Sequence, residues 1–415
     1  MAVDGSARER DLRVLAGAIG LSALGDGVAL VALMLAAKDM AGSGMSGLGA
    51  GVAIAVLCIC LWAPVVVLAG HVGLLVDRVE TRGLLVAVSA AQAVVGVGLA
   101  FAGSLPLLFV LAAVAGCGIA IAQAAEFALV PRAAGGRSIQ QANSLVESTR
   151  SLGFAFGPVC GSLLVAGGGT AAAMLVDAAS FVVVGLAGLV LVARRPPVER
   201  LGDDRRRARD GIGFLLGDRL VAIVVVVVFV SLLFMSASIP ADVIYVEDVL
   251  GVENLGLGIV FTGWTLGMLV GANVVARRVS LGALATAVFV GVTIQGLGKF
   301  LTPFWLVFAF MVAMYFVGGI GHGLKNVTSR SLIHARVAPE RHGRAFAAWN
   351  GIRNGAELGA LAVGGIVVGA IGARETLWLA GGLSALAGVV GLAVLAWRRG
   401  GAREVEVSAG TIGSP

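Results

Sequence analysis

GLLVDRVETRG, residues 73–83, interrupts an otherwise oily stretch of chain. LWAPVVVLAGHV precedes it and LLVAVSAAQAVVGVGLAFAG follows it, and both flanks are apolar enough to sit in lipid. Between them stand Asp77, Arg78, Glu80 and Arg82, four charges within six residues. A short charged break between two spanning-length runs reads as the water-exposed turn of a helical hairpin in a membrane. The composition extends that reading to the whole chain. Apolar residues make up 58% and charged residues 13%, with a mean hydropathy of +0.98. That is more apolar surface than a water-soluble core absorbs, so most of the solvent is lipid. Glycine, 62 of 415 residues, is tolerated at this level where helices pack closely inside a bilayer.

The formal charge of +6 does not indicate a nucleic-acid partner. The arginines lie in short breaks between apolar runs, not on one soluble face. Cys58, Cys60, Cys117 and Cys160 all fall inside apolar runs without metal-ligand spacing, so they read as small core residues, with no disulfide and no metal. The first apolar run follows Arg8, Arg10 and Arg13 and is about 25 residues long, nearer a spanning helix than a signal-peptide core. It is expected to remain in the mature chain.

A hydropathy window finds twelve spans: 13–37, 47–71, 83–103, 105–128, 142–166, 171–193, 219–245, 254–276, 281–301, 303–326, 344–370 and 374–397. Apolarity is continuous within each, which excludes the alternating strands of a β-barrel. The expected fold is therefore an all-α membrane protein of twelve transmembrane helices. With the N-terminus inside, twenty-four of the 30 Lys and Arg lie on the inner side. Lys38, Lys299 and Arg374 are assigned to the outer side, and Arg150, Lys325 and Arg353 fall within spans. This asymmetry predicts cytoplasmic N- and C-termini.

The longest break, RRPPVERLGDDRRRARDGIGFLLGDR at 194–219, splits the spans six and six. Its proline pair ends a helix, and its later part reads as an amphipathic helix at the inner interface. The organisation is then 1–193 as a first six-helix bundle, 194–218 as linker, 219–397 as a second bundle and 398–415 as a flexible tail. The halves echo each other: QANSLVESTRSLGFAFGPVCGS (141–162) and RAFAAWNGIRNGAELGALAVGG (344–365) each place an Arg eight residues after an Ala, then a Gly-rich run. A repeated six-helix unit is the plan of many secondary transporters.

The chain resembles the major facilitator superfamily. Gly73-x-Leu75-x-Asp77-Arg78-x-x-x-Arg82 is similar to that superfamily's signature between spans two and three. It departs from the pattern at Glu80 and Thr81, as in the drug and siderophore exporter branch, which includes macrolide exporters and the enterobactin exporter. Gly153-x-x-x-Gly157-Pro158-x-x-Gly161 in span five resembles the exporters' antiporter motif, and Ser22-x-x-Gly25-Asp26 in span one resembles a feature of the same branch. The resemblance implies that Asp77 meets the N-terminus of span eleven, where the helix dipole favours an anion. It also implies that Gly153, Gly157, Pro158 and Gly161 form a bend that limits leak between the halves. From the residues alone, the hinge is a tight turn that needs Gly73, with Arg78 and Arg82 set against the anionic inner leaflet, and the glycine run is a smooth packing face.

Asp26 is the sharpest single residue. It lies thirteen positions into span one, and a carboxylate near the bilayer centre is costly and by default functional. Proton binding and release suit such a site; a structural carboxylate bonded to a neighbouring helix is the alternative. A second set, Glu126, Glu147, Arg150, His322, Lys325, Arg353 and Glu357, reads as an inner gate of charges. Glu147 with Arg150 and Arg353 with Glu357 are spaced to neutralise each other on one helix, and Lys325 is placed to snorkel. Asp242, Glu247 and Asp248 read as solvated outer rim. No phosphate-binding loop, zinc-protease or nucleophile-elbow motif is present, so neither an ATPase nor an enzyme is expected, and no cofactor. The expected function is proton-coupled export of a small amphipathic organic compound by a monomer in a bacterial inner membrane. A lipid or lysophospholipid translocator and a non-transporting receptor or scaffold are the rival readings.

Overall fold

The computed structural model describes residues 5–42, 49–197, 212–253, 255–338 and 341–411, and the regular structure among them is helical. The first part of the chain forms α1 (Gly5–Gly42), α2 (Ala50–Val67), α3 (Ala69–Arg78), α4 (Thr81–Ala100), α5 (Leu105–Ala133) and α6 (Ile139–Val190). The second forms α7 (Arg219–Ala237), extended by Ile239–Ile244 and the π-turn Tyr245–Val249, then α8 (Leu255–Val270) and α9 (Leu284–Leu301). α10 (Phe308–Arg336), α11 (His342–Ile371) and α12 (Ala373–Thr411) complete it. Eleven helices among the described residues are long and apolar enough to cross a membrane.

One of those eleven is not a single rod. α6 has 52 residues, about 78 Å at the helical rise, more than twice the ~30 Å hydrocarbon layer. Gly169 inside it has φ 72° and ψ 178°, a backbone conformation reserved for glycine, and the helix is interrupted there. Its start is fixed by a capping box in which Ser138 Oγ accepts from the Gln141 N–H and the Gln141 side chain accepts from the Ser138 N–H.

The hinge differs from its sequence reading. Gly73 is not at a turn; it lies inside α3, and an added Cβ there would meet nothing within 4 Å. The chain reverses at Val79 and Glu80, both extended. Glu80, the residue that departs from the superfamily signature, is the N-cap of α4: its carboxylate accepts from the Arg82 N–H at 3.1 Å and the Gly83 N–H at 2.7 Å. An acid there satisfies orphan donors of α4 and complements its dipole.

The chain packs as two compact units. The first comprises Met1–Asp203, Ile239–Thr262 and Leu361–Arg374. Within it α1 runs against α6 with backbones almost touching: a Cβ on Gly27 would lie 2.9 Å from Gly157 Cα, and one on Gly161 would lie 2.7 Å from the Val28 carbonyl oxygen. Lipid provides no hydrophobic drive between helices, so this close approach supplies the packing energy. Segments from late in the sequence join the unit through the Gly258 N–H, which donates to Ser162 Oγ at 3.0 Å, and through Gly51, where a Cβ would lie 2.9 Å from the Gly365 carbonyl oxygen.

The second unit comprises Asp204–Ser238, Gly263–Ala360 and Glu375–Pro415. Glycines again set the spacing: a Cβ on Gly291 would meet the Lys325 N at 2.9 Å, and one on Gly321 the Gln295 N at 2.6 Å, so α9 and α10 pack backbone to backbone. Phe289, Trp349, Ile333 and Val224 form its core, and Ser231 Oγ and Ser384 Oγ share a 2.7 Å hydrogen bond inside it. Of the expected linker, 194–218, residues 198–211 lie outside the described residues; residues 212–217 are helical and Leu215 is buried in the same core. α12 continues to Thr411, past the expected end of the last span.

Candidate functional site

In the first unit, Asp26 stands twenty-one residues after the first and sixteen before the last residue of α1, close to its middle. It lines a cavity of about 20 Å³ with Ser22, Gln123, Glu126, Arg150 and Phe181, room for about one water. α5 contributes Glu126 and the first arm of α6 contributes Arg150, which donates to Glu126 at 2.7 Å. Arg150 also reaches Glu147 at 3.9 Å and lies over the Phe127 ring at 5.6 Å. The expected Glu147–Arg150 pair is therefore the looser of two, and Arg150 serves the buried Glu126 first. One arginine balances one of the two cavity carboxylates, and among the described residues Asp26 has no ion pair of its own.

The second arm of α6 adds a residue that the sequence reading passed over. Asp177 is 5% exposed, and its Oδ1 has no hydrogen-bond partner. That oxygen lies 2.6 Å from where a Cβ on Gly25 would stand, with Ser180 Oγ beside it. Gly25 therefore leaves room for a carboxylate next to Asp26. The intramembrane-carboxylate rule that selects Asp26 applies equally to Asp177 in MLVDAASF, which no recognisable motif surrounds.

At the hinge, Asp77 is buried and paired with Arg195 at 2.7 Å. Arg195 also donates to the Val76 carbonyl at 3.1 Å, and its own carbonyl accepts from the Thr81 N–H at 3.1 Å. Arg82 donates to the Leu191 and Leu189 carbonyls at 2.6 and 2.9 Å, a cation on the C-terminal carbonyls of α6. Asp11 accepts from the Val192 and Ala193 N–H groups, each at 2.7 Å. The hinge is thus bolted to the end of α6. Only Arg78 of the hinge charges is exposed. Sequence reasoning counted Arg195 merely as one more inner charge, because nothing local ties position 195 to position 77.

Removing one partner of a buried pair leaves the other uncompensated, so Asp77→Asn and Arg195→Met are each expected to lower thermal stability. The double variant is expected to lose no more than the worse single one, because contacting residues couple by 0.5–3 kcal/mol, roughly. Thermal unfolding of the three variants in detergent measures this. Fully additive losses would mean that Asp77 acts mainly on a partner other than Arg195.

Gly153, Gly157 and Gly161 line the face of α6 that meets α1, and a Cβ on Gly153 would overlap the Gly20 carbonyl. Pro158 lies in the same stretch, and a Cβ on Gly27 would lie 3.0 Å from its ring.

In the second unit, Lys325 does not snorkel. It is fully buried and its Nζ has no hydrogen-bond partner. Gly291 is the reason: without a side chain there, α9 closes over the α10 backbone at Lys325. Arg353 and Glu357 form the expected pair on α11 at 3.5 Å. The imidazole of His322 packs 5.5 Å from the Trp264 ring, and its Nδ1 has no partner. Lys299, assigned to an outer loop, is instead buried in α9, donating to Ser238 Oγ and lying 5.6 Å from the Tyr315 ring centre.

The supposed acidic rim is also largely interior. Asp242 is 2% exposed. Lys38, at the end of α1, binds Glu247 at 2.7 Å and Asp248 at 2.6 Å, and the Glu247 side chain is only 10% exposed. Glu247 and Asp248, adjacent in the π-turn, thus share one cation.

The profile of the Major Facilitator Superfamily matches residues 15–285 and again 224–413. No curated protein matches the chain. Among solved structures, a variant of the nucleoside transporter NupG is similar with a TM-score of 0.73 and 14% identity, covering 93% of this chain and 99% of that one. The human organic anion transporter MFSD10 is similar with a TM-score of 0.61 and 17% identity, covering 92% and 99%. A bacterial homologue of the human lysosomal transporter Spinster is similar with a TM-score of 0.65 and 11% identity, covering 93% and 98%. At these identities the likeness is one of fold.

Proposed function

Because the chain belongs to the Major Facilitator Superfamily, we propose that it is a secondary transporter that exports a small amphipathic organic compound in exchange for protons, by alternating access. Counting the two arms of α6 on either side of Gly169 gives twelve spans. The Arg and Lys asymmetry supports cytoplasmic N- and C-termini, and the reading includes a monomer in a bacterial inner membrane. The Ser22-x-x-Gly25-Asp26 and Gly153-to-Gly161 motifs support the drug and siderophore exporter branch.

One observation carries the antiport reading: Asp26, half-way along α1, lines a water-sized cavity with the Glu126–Arg150 pair. A carboxylate there gains a proton at low cost in the neutral form and releases it when water or a cation reaches the cavity. Purified protein in liposomes with an imposed pH gradient tests the reading: substrate accumulation against its gradient, collapsed by a protonophore, is the expected result. Binding measurements against antibiotics, siderophores and lipids identify the compound. A receptor or scaffold would give no flux for any of them.

The Arg150–Glu126 pair keeps this cavity's charge in balance. Glu126→Arg and Arg150→Glu are each expected to lower stability and flux, since each buries like charges together, by about 3–5 kcal/mol. The double reversal restores opposite charges and is expected to recover most of the stability. A double variant no better than the worse single one would show that the pair is not the balance point.

A further inference from the structure

We propose that the second unit contains a binding site for an anionic oxyacid group, a carboxylate, carried by the transported compound, formed by Lys325, Gln295, His322 and Arg353. The proposal rests on the transporter reading and gives its substrate a charge.

His322, Lys325 and Ser329 fall at i, i+3 and i+7 along α10, one face of the helix about 10 Å long. Each carries a polar atom without a hydrogen-bond partner: His322 Nδ1, Lys325 Nζ and Ser329 Oγ. Lys325 and Ser329 are fully buried. On α9, against which α10 packs backbone to backbone, Gln295 is fully buried too, and neither its Nε2 nor its Oε1 has a partner. Arg353 on α11 uses one nitrogen for Glu357 and leaves its Nε unpaired.

Buried polar groups in folded proteins are nearly always satisfied, and several neighbouring exceptions mark a place where something else is meant to bind. The charges agree. Lys325 and Arg353 bring two basic groups, and Glu357, paired with Arg353 at 3.5 Å, brings one carboxylate, so the cluster lacks one negative charge. A monoanion would neutralise it. The free donors are an ammonium, a guanidinium N–H and an amide, the groups that bind carboxylate oxygens through charge-assisted hydrogen bonds. A cation would face two like charges, and a neutral apolar molecule would leave every donor unmet. Trp264, against His322 and Tyr315, gives the site an apolar wall suited to the remainder of an amphipathic molecule.

The test uses the full chain in detergent micelles of neutral headgroup and a series of probes of equal tail length: octanoate, octyl phosphate, octyltrimethylammonium and octanol. Octanoate is expected to bind at least tenfold tighter than the cation and the alcohol. Lys325→Met is expected to erase that preference, Lys325→Arg to keep it, and Gln295→Leu to weaken it. Stronger binding of octyl phosphate than octanoate would replace the carboxylate with a phosphate group and overturn the proposal as stated. Equal binding of all probes, or an unaltered octanoate preference in folded Lys325→Met, would overturn the site. Proton-driven flux of the same protein and variants reconstituted in sealed liposomes separates the two readings. Flux without anion preference removes the anion site and leaves the transporter; anion preference without flux removes the transporter reading and leaves the site.

Discussion

Asp26→Asn is expected to reduce proton-driven accumulation to the level of empty liposomes while leaving the protein folded and able to bind its substrate. The amide has nearly the shape and hydrogen-bonding capacity of the protonated acid, so the cavity formed with Ser22, Gln123 and Glu126 is preserved. What the variant lacks is a titratable proton. The cost of a charged carboxylate in the middle of a membrane helix, about 2.5–3.5 kcal/mol on insertion scales, is exchanged for the smaller cost of a neutral amide, so stability should rise slightly or stay level. Exchange of labelled for unlabelled substrate at equal pH on both sides needs no net proton movement and should persist. Undiminished accumulation in Asp26→Asn would sink the assignment. In that event Asp177, buried and unpaired beside Gly25, would be the carboxylate to replace next.

Gly157→Leu is expected to be strongly damaging, and its effect is structural before it is functional. A Cβ at position 157 would lie 2.7 Å from both the Gly27 Cα and the Leu24 carbonyl oxygen. Those are backbone atoms of a helix packed along its length, and they have no rotamer with which to move aside. Overpacking a tight interior costs about 1–3 kcal/mol even where side chains can yield, so loss at or beyond the upper end is expected here. Gly167→Leu is the control on the same helix, since a Cβ there meets nothing within 4 Å. Thermal unfolding and size-exclusion profiles should show Gly157→Leu aggregated or strongly destabilised and Gly167→Leu close to wild type. Equal behaviour of the two would mean that the α1–α6 contact does not depend on glycine at 157.

The membrane class, the helical fold, the superfamily and the position of Asp26 were all legible in the sequence. Apolar runs of spanning length leave helices as the only way to satisfy the backbone in lipid, and a lone acid inside such a run is conspicuous. The candidate site was legible in its members more than in its pairings. Glu126, Glu147, Arg150, Arg353 and Glu357 were singled out as charges in apolar surroundings, and both same-helix pairs form. The 2.7 Å bond from Arg150 to Glu126 joins residues on different helices, and no spacing rule predicts it.

Tertiary structure alone decided the partners and which side chains are buried. Sequence hydropathy assigns each residue a level in the membrane but not a direction around its helix. For that reason Lys325 read as a snorkelling cation, Lys299 as a loop residue and Asp242 as rim, whereas all three are buried. The same limit hid the Asp77–Arg195 bond, whose members lie 118 positions apart, and placed a turn at Gly73 that occurs at Glu80. A chain's local chemistry fixes which segments enter lipid, because that transfer depends on each segment by itself. Which charges meet depends on how closely the helices approach, and here glycines such as Gly157 and Gly291 set that distance through contacts that exist only once the helices are packed.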